Sequence, residues 1–299
     1  MVKPWVEDSN GNSPCRCINF MDHTETSFNM NISRYIFCAM AISGSAVAHD
    51  FWLQPDNFMP ATGADVNVRL FVGDHFANEK ERAFQKKRTV RIQWFATKMT
   101  KDITARGQEG SKPFIQFSPQ DRGQHLLTLE RDWAHIELEA KKFNSYLEHE
   151  GLKNILKHRR DAGEDNKVGK ERYRRYLKSL MQVGGQNDQT WKRQTGHRLE
   201  IVPLSNPYGH KPGDQLKVLV LFDGKPLSNA QVEACHRGPK KVNIQSERTD
   251  KSGQVAIKLN YAGPWLVRLV HMRKCTEDPG YDWESFWSAF SFALPEGKK

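Results

Sequence analysis

The stretch Ala46-Val47-Ala48-His49-Asp50-Phe51-Trp52 carries the clearest chemistry in this chain. Small residues at Ala46 and Ala48 suit a secretory cleavage site, and cleavage after Ala48 leaves His49 as the first residue of the mature protein. An N-terminal histidine offers its α-amine and its imidazole together, which is a chelate for a transition-metal ion. Further ligands must be brought in by the fold. The candidates are His75, in Gly73-Asp74-His75-Phe76 after a long strand pattern, and His271, near the end of another. A histidine at a strand end also serves as a surface or hydrogen-bonded residue. Imidazole accepts nickel, cobalt, copper and zinc alike, so ligand type alone does not select the ion.

Other residues invite weaker chemical readings. Cys235 and Cys275 are the pair left after processing, and in an oxidising compartment a disulfide is their default reading. A metal role beside His236 is disfavoured, because Cys235 and His236 are neighbours on one expected strand and point to opposite faces. Trp283 and Trp287 read as caps on a core or seam. Glu200, between Leu199 and Ile201, faces solvent or pairs with a basic neighbour. His149 and His158 lack ligand spacing. There is no nucleophile elbow, zinc-protease helix or phosphate-binding glycine loop, so the chain is not expected to be an enzyme.

The elements that must position these residues are mostly strands. Residues 1–29 read as an extension from an upstream start, and residues 30–48 as a signal peptide with Arg34 before an apolar core. Alternation over Val66 to Val72 and Thr89 to Phe95, then short runs at Phe114 to Phe117, His125 to Leu129 and His135 to Leu138, predict an N-terminal β-sandwich over 49–138. From 139 to 195 the spacing of Phe143, Leu147, Leu152, Ile155 and Leu156, then Tyr173, Tyr176, Leu177 and Leu180, predicts a helical insertion and linker. Residues 196–294 contain seven expected strands, as in an immunoglobulin-like or transthyretin-like sandwich, and 295–299 form a tail. The expected fold is therefore mainly β, two antiparallel sandwiches with helices between them.

The formal net charge of +10 favours acidic partners, although much of the excess lies between Lys153 and Arg175 and reads as a solvated helical face. Secretion and the lack of a recognisable binding module argue against nucleic acid as a partner. No apolar run of spanning length follows the signal, so a soluble product in the periplasm or outside the cell is expected.

Four segments, Ala48 to Leu53, Gly196 to Tyr208, Gly263 to Met272 and Asp282 to Trp287, resemble those of a periplasmic family described as the substrate-specific component of nickel/cobalt uptake. The likeness runs from His49 to Leu294. It implies a soluble accessory protein that binds nickel or cobalt, with copper as an alternative, and that works beside a membrane transport component. Two further readings stand beside it. One is a non-catalytic module that binds an envelope protein or anionic polymer through the basic insertion, with Arg172, Arg174 and Arg175 in contact. The other is a copper oxygenase built on an N-terminal histidine brace.

Overall fold

Residues 49–238 and 241–296 are described by a computed structural model. The expected extension and signal peptide lie outside the described residues. In chain order the strands begin with β1 (Asp50–Pro55), β2 (Val66–Asp74), β3 (Ala77–Arg82), β4 (Thr89–Ala96), β5 (Met99–Asp102), β6 (Ile115–Phe117), β7 (Gly123–Arg131) and β8 (Ala134–Leu138). Two helices follow, α1 (Ala140–His149) and α2 (Lys153–Asp161), and then β9 (Gly169–Val183). The C-terminal part holds β10 (Leu199–Pro203), β11 (Gln215–Phe222), β12 (Lys225–Pro226), β13 (Gln231–Arg237), β14 (Val242–Arg248), β15 (Gln254–Lys258), β16 (Gly263–Lys274) and β17 (Trp283–Leu294).

The fold is mainly β, as the alternation predicts, but the two halves share one sheet. Nine strands run in the order β14-β13-β16-β17-β9-β7-β4-β5, with β8 beside the first part of β9. The halves meet at a parallel pairing of β17 with β9, Trp283 to Ser291 against Glu171 to Ser179. Two four-stranded sheets cover this platform. The sheet of β1, β2, β3 and β6 packs on the face that presents Trp94, Leu127, Leu177, Leu266 and Ala289. The sheet of β10, β11, β12 and β15 packs on the opposite face, against Leu126, Tyr176, Trp265, Val267 and Phe290. Consecutive residues of each platform strand thus enter different cores, as a pleated strand requires. The helices lie beside the first small sheet, over Val270, Met272, Trp283 and Trp287.

Three expectations change. The sandwiches at 49–138 and 196–294 are not separate bodies, since strands of both build the platform. Residues 169–183 form the long strand β9 instead of a helix. Tyr173, Tyr176, Leu177 and Leu180 mimic helical spacing because β9 is covered on both faces, which removes the two-residue alternation of a half-exposed strand. The arginines of this stretch are therefore not a solvated helical face: Arg172 and Arg175 are buried. Finally, Cys235 and Cys275 are both free. Cys235 lies across from Leu266, and Cys275 follows β16 nine residues further along, roughly 30 Å away at strand rise.

Candidate metal centre and its buried charge network

The turn between β2 and β3 places His75 by backbone geometry that few residues adopt. Asp74 pairs with Ala77, and the two loop residues His75 and Phe76 have φ of 46° and 67°. Positive φ at both loop positions belongs to the tight hairpin turn that matches strand twist, and it favours glycine or asparagine. A buried phenylalanine there is strained, by about 1–3 kcal/mol. What holds it is packing: Phe76 is fully buried edge-on to Trp52, with ring centroids 5.3 Å apart, and Arg237 donates to its carbonyl at 3.1 Å. Gly73 makes the approach possible, because a Cβ there would fall 2.3 Å from the Ala77 carbonyl oxygen.

The turn aims the His75 imidazole at the C-terminal end of α1. Its ring lies 4.9 Å from that of His149, in the last turn of α1, and its Nδ1 is 2.9 Å from Asp74 Oδ1. One ligand atom from each of Asp74, His75 and His149 falls within 4.8 Å of the other two. Behind His75, Glu233 Oε2 lies 3.3 Å from Nε2. This contact holds the ring in place and raises the His75 pKa above its ordinary value. A carboxylate on the far nitrogen is the arrangement that orients metal-bound histidines and strengthens them as ligands. Asp74 and His149 are exposed, so an ion can reach the site from solvent.

Glu233 belongs to a buried cluster around Arg268. The guanidinium donates to Glu233 at 2.7 Å and to Glu150 at 2.5 Å. Asp50 Oδ1 lies 2.5 Å from Nε as an ion contact off the N–H axis. Asp50 also accepts from the His75 backbone N–H at 3.1 Å, so β1, β2, β13, β16 and the end of α1 converge here. Burial alone would suppress the charge on Arg268, but the three carboxylates hold it firmly protonated. Burial pushes Glu150 up to about 7 and raises Asp50. Glu233, though burial opposes its charge, is drawn down to about 2 by the His75 hydrogen bond and by Arg268.

The family described as a domain of unknown function (DUF4198) matches residues 46–273. The chain belongs to that family. The matched segment includes every residue of the candidate centre. No curated protein matches. Among solved structures, the D0-D1 domain of intimin is similar at 11% identity, over 81% of this chain and 97% of that one, with a TM-score of 0.19. The D00-D0 domain of intimin is similar at 11% identity over 83% and 100%, with a TM-score of 0.18. Superpositions this loose carry no argument about the architecture or role of the DUF4198 chain.

Of the histidines predicted as ligands, only His75 enters the cluster. His49 is exposed at the start of β1 and lines a different cleft, its carbonyl accepting from Arg175 at 3.2 Å. His271 lies on the opposite face of the platform from Arg268. Its ring packs on Phe222 with centroids 4.3 Å apart, and burial, helped by Arg273, pushes its pKa down to about 4. Among the described residues it joins no group of three metal donors. His149, set aside for its spacing, replaces it, and no sequence signal links it to His75 across the intervening strands and helices.

Glu200 does not face solvent but pairs with buried Lys178 at 2.8 Å. Trp283 and Trp287 pack under the helices, Trp287 stacked on Tyr146. Cys235 and His236 do enter different cores: His236 rests on Trp265 and Tyr261. Arg172 is tied to Glu284 and Glu277, and Arg174 to Glu130, so these two are engaged internally. No helix among the described residues is long and apolar enough to cross a membrane.

Proposed function

We propose that this DUF4198 chain binds a divalent transition-metal ion through His75, His149 and Asp74, as a non-catalytic accessory protein acting outside the cytoplasm. The observation that carries the reading is the meeting within 4.8 Å of Asp74 and His75, on a strained hairpin, with His149 at the end of α1, and with Glu233 braced behind the central imidazole. Two imidazoles and a carboxylate suit nickel, cobalt, copper and zinc. The resemblance to the nickel/cobalt uptake component favours the first two and a membrane transport component as partner. The site is a small open one, fit for a protein that takes up and releases its ion. His49 enters this reading as a neighbour: Asp50, the next residue, is hydrogen-bonded to the His75 backbone.

Calorimetric titration of the full chain with nickel, cobalt, copper and zinc tests this, beside His149→Ala and Glu233→Gln. The expected result is binding of at least one ion, abolished by His149→Ala and weakened about 10- to 100-fold by Glu233→Gln. Binding should tighten as pH rises, because the ion competes with a proton on His75 whose pKa stands above 6.5. Absence of binding in the parent chain would sink the metal reading. Binding that survives His149→Ala but disappears when one residue is inserted ahead of His49 would move the ion to a processed N-terminus.

A further inference from the structure

On the other side of β1 lies a second cleft, with chemistry opposite to that of the metal centre. It has a volume of about 290 Å³, and four arginines, Arg82, Arg88, Arg131 and Arg175, line it together with His49 and Phe51. Among the described residues no carboxylate lines it. The bonds the guanidiniums do make go to neutral acceptors: Arg88 to the Trp133 carbonyl, Arg131 to the Gln85 side chain and Arg175 to the His49 carbonyl. Arg131 and Arg175 are 5% and 7% exposed, yet among the described residues Arg131 Nη1 and Arg175 Nε have no hydrogen-bond partner. Buried donors are rarely left unpaired, and charged ones least of all.

A guanidinium cannot shed its charge as a buried carboxylate can. Burial and then Arg175, Arg88 and Arg82 press the Arg131 pKa down to about 10, which still leaves it charged at neutral pH. Phe51 offers partial compensation, its ring 4.3 Å from the Arg175 guanidinium carbon and 5.5 Å from that of Arg131. The ring also holds the two guanidiniums in place without using their N–H groups. The one strongly buried carboxylate on the same strand, Glu171, is accepting from Tyr146 and Ser285, and burial lifts its pKa to about 7. Arg175 acts against that rise, but Glu171 does not line the cleft.

We infer that this cleft is a binding site for a multiply charged oxyanion of the phosphate or sulfate class, held by the arginine side chains that line it. The volume sits near the lower end for small-ligand sites, so a phosphate on a small organic group fits as well as the free ion. Planar guanidinium forks are the side chains best matched to such oxygens. The site is independent of the metal reading, because neither His75 nor His149 lines it.

The test is thermal unfolding of the full chain in inorganic phosphate, sulfate or chloride at matched ionic strength, with calorimetric titration of phosphate alongside. Phosphate and sulfate should raise the melting temperature above chloride. Arg131→Met should weaken phosphate binding at least about tenfold, while Arg122→Met, on an exposed arginine outside the cleft, should leave it unchanged. His149→Ala should also leave it unchanged, which separates this inference from the metal centre. Co-sedimentation with phosphatidylglycerol vesicles distinguishes sources: recovery with vesicles points to a lipid headgroup, and phosphate binding without it points to a free oxyanion. Equal melting in all three salts, or phosphate binding untouched by Arg131→Met, overturns the inference. Sulfate and phosphate also stabilise folded proteins by exclusion from their surface, so the calorimetric titration of the parent chain decides even if Arg131→Met fails to fold: no saturable phosphate binding overturns the inference.

Discussion

Two charged regions lie on either side of the first residues of β1, and they handle buried charge in opposite ways. Asp50 points into the cluster where one guanidinium, Arg268, meets Asp50, Glu150 and Glu233. His49 and Phe51 point into the cleft where four arginines meet no carboxylate among the described residues. Trp287 stands between them, its ring 5.7 Å from the Arg268 guanidinium carbon and 5.4 Å from that of Arg175. The acidic cluster can balance itself, because carboxyls take up protons when burial demands it, as Glu150 does. The basic cleft cannot, and its balance has to come from a bound anion. One region thus carries its own counter-charges, and the other presents its charge to a ligand.

The largest effect expected from this contrast is on Arg268. Arg268→Met leaves its carboxylates buried without their cation and should destabilise the fold by about 3–5 kcal/mol in chemical denaturation. The same change in the cleft, Arg131→Met, removes a repelled charge and should leave stability in chloride within about 1 kcal/mol of the parent. Similar losses at both positions would mean that the cleft arginines are paired after all, and the contrast would fail.

A pH series sharpens the picture with a smaller effect. The Glu150 pKa rises from 4.5 to about 7 on folding, so the folded chain holds the extra proton in that window and stability should fall as pH climbs through it. Glu233 falls from 4.5 to about 2, so its contribution is present above the first value and lost as pH drops through the second. His75, raised above 6.5, adds stability that is lost as pH rises through its folded pKa. Glu150→Gln should flatten the neutral limb and leave the acid limb in place. An unchanged profile would show that Glu150 titrates normally and that the cluster is more open than its contacts imply.

Much of the architecture was legible in the residues. Val66 to Val72 and Leu216 to Phe222 alternate because one side of each strand carries more of the core than the other, Trp265 to Val270 is a near-continuous apolar run because that strand is buried on both faces, and all three fall within strands. Phe143 and Leu147 likewise mark a helix that buries one face. β9 was not legible, because Arg175, Lys178, Ser179 and Gln182 are polar residues in a strand buried on both faces, made tolerable by partners distant in sequence such as Glu200. At the candidate centre, Gly73-Asp74-His75-Phe76 stood out in the sequence, and His49 directly precedes Asp50 of the charge cluster. What His49 lines, and which histidine meets His75, depended on strand pairings that composition does not encode.

Residue type and spacing suffice to show that the chain is built mainly of strands, that helices interrupt it after residue 139, and that histidines at 49 and 75 sit at strand ends. Those properties follow from local sterics and from the periodic exposure of side chains. Long-range packing is what makes both halves share one platform, brings His149 to His75, and gathers arginines from β3, β7 and β9 and the turn before β4 with no carboxylate among the described residues lining their cleft. The physical reason is that charge balance, pKa and ligand geometry are set by neighbours in space. Those neighbours are chosen by long-range strand register and by burial, not by the order of residues along the chain.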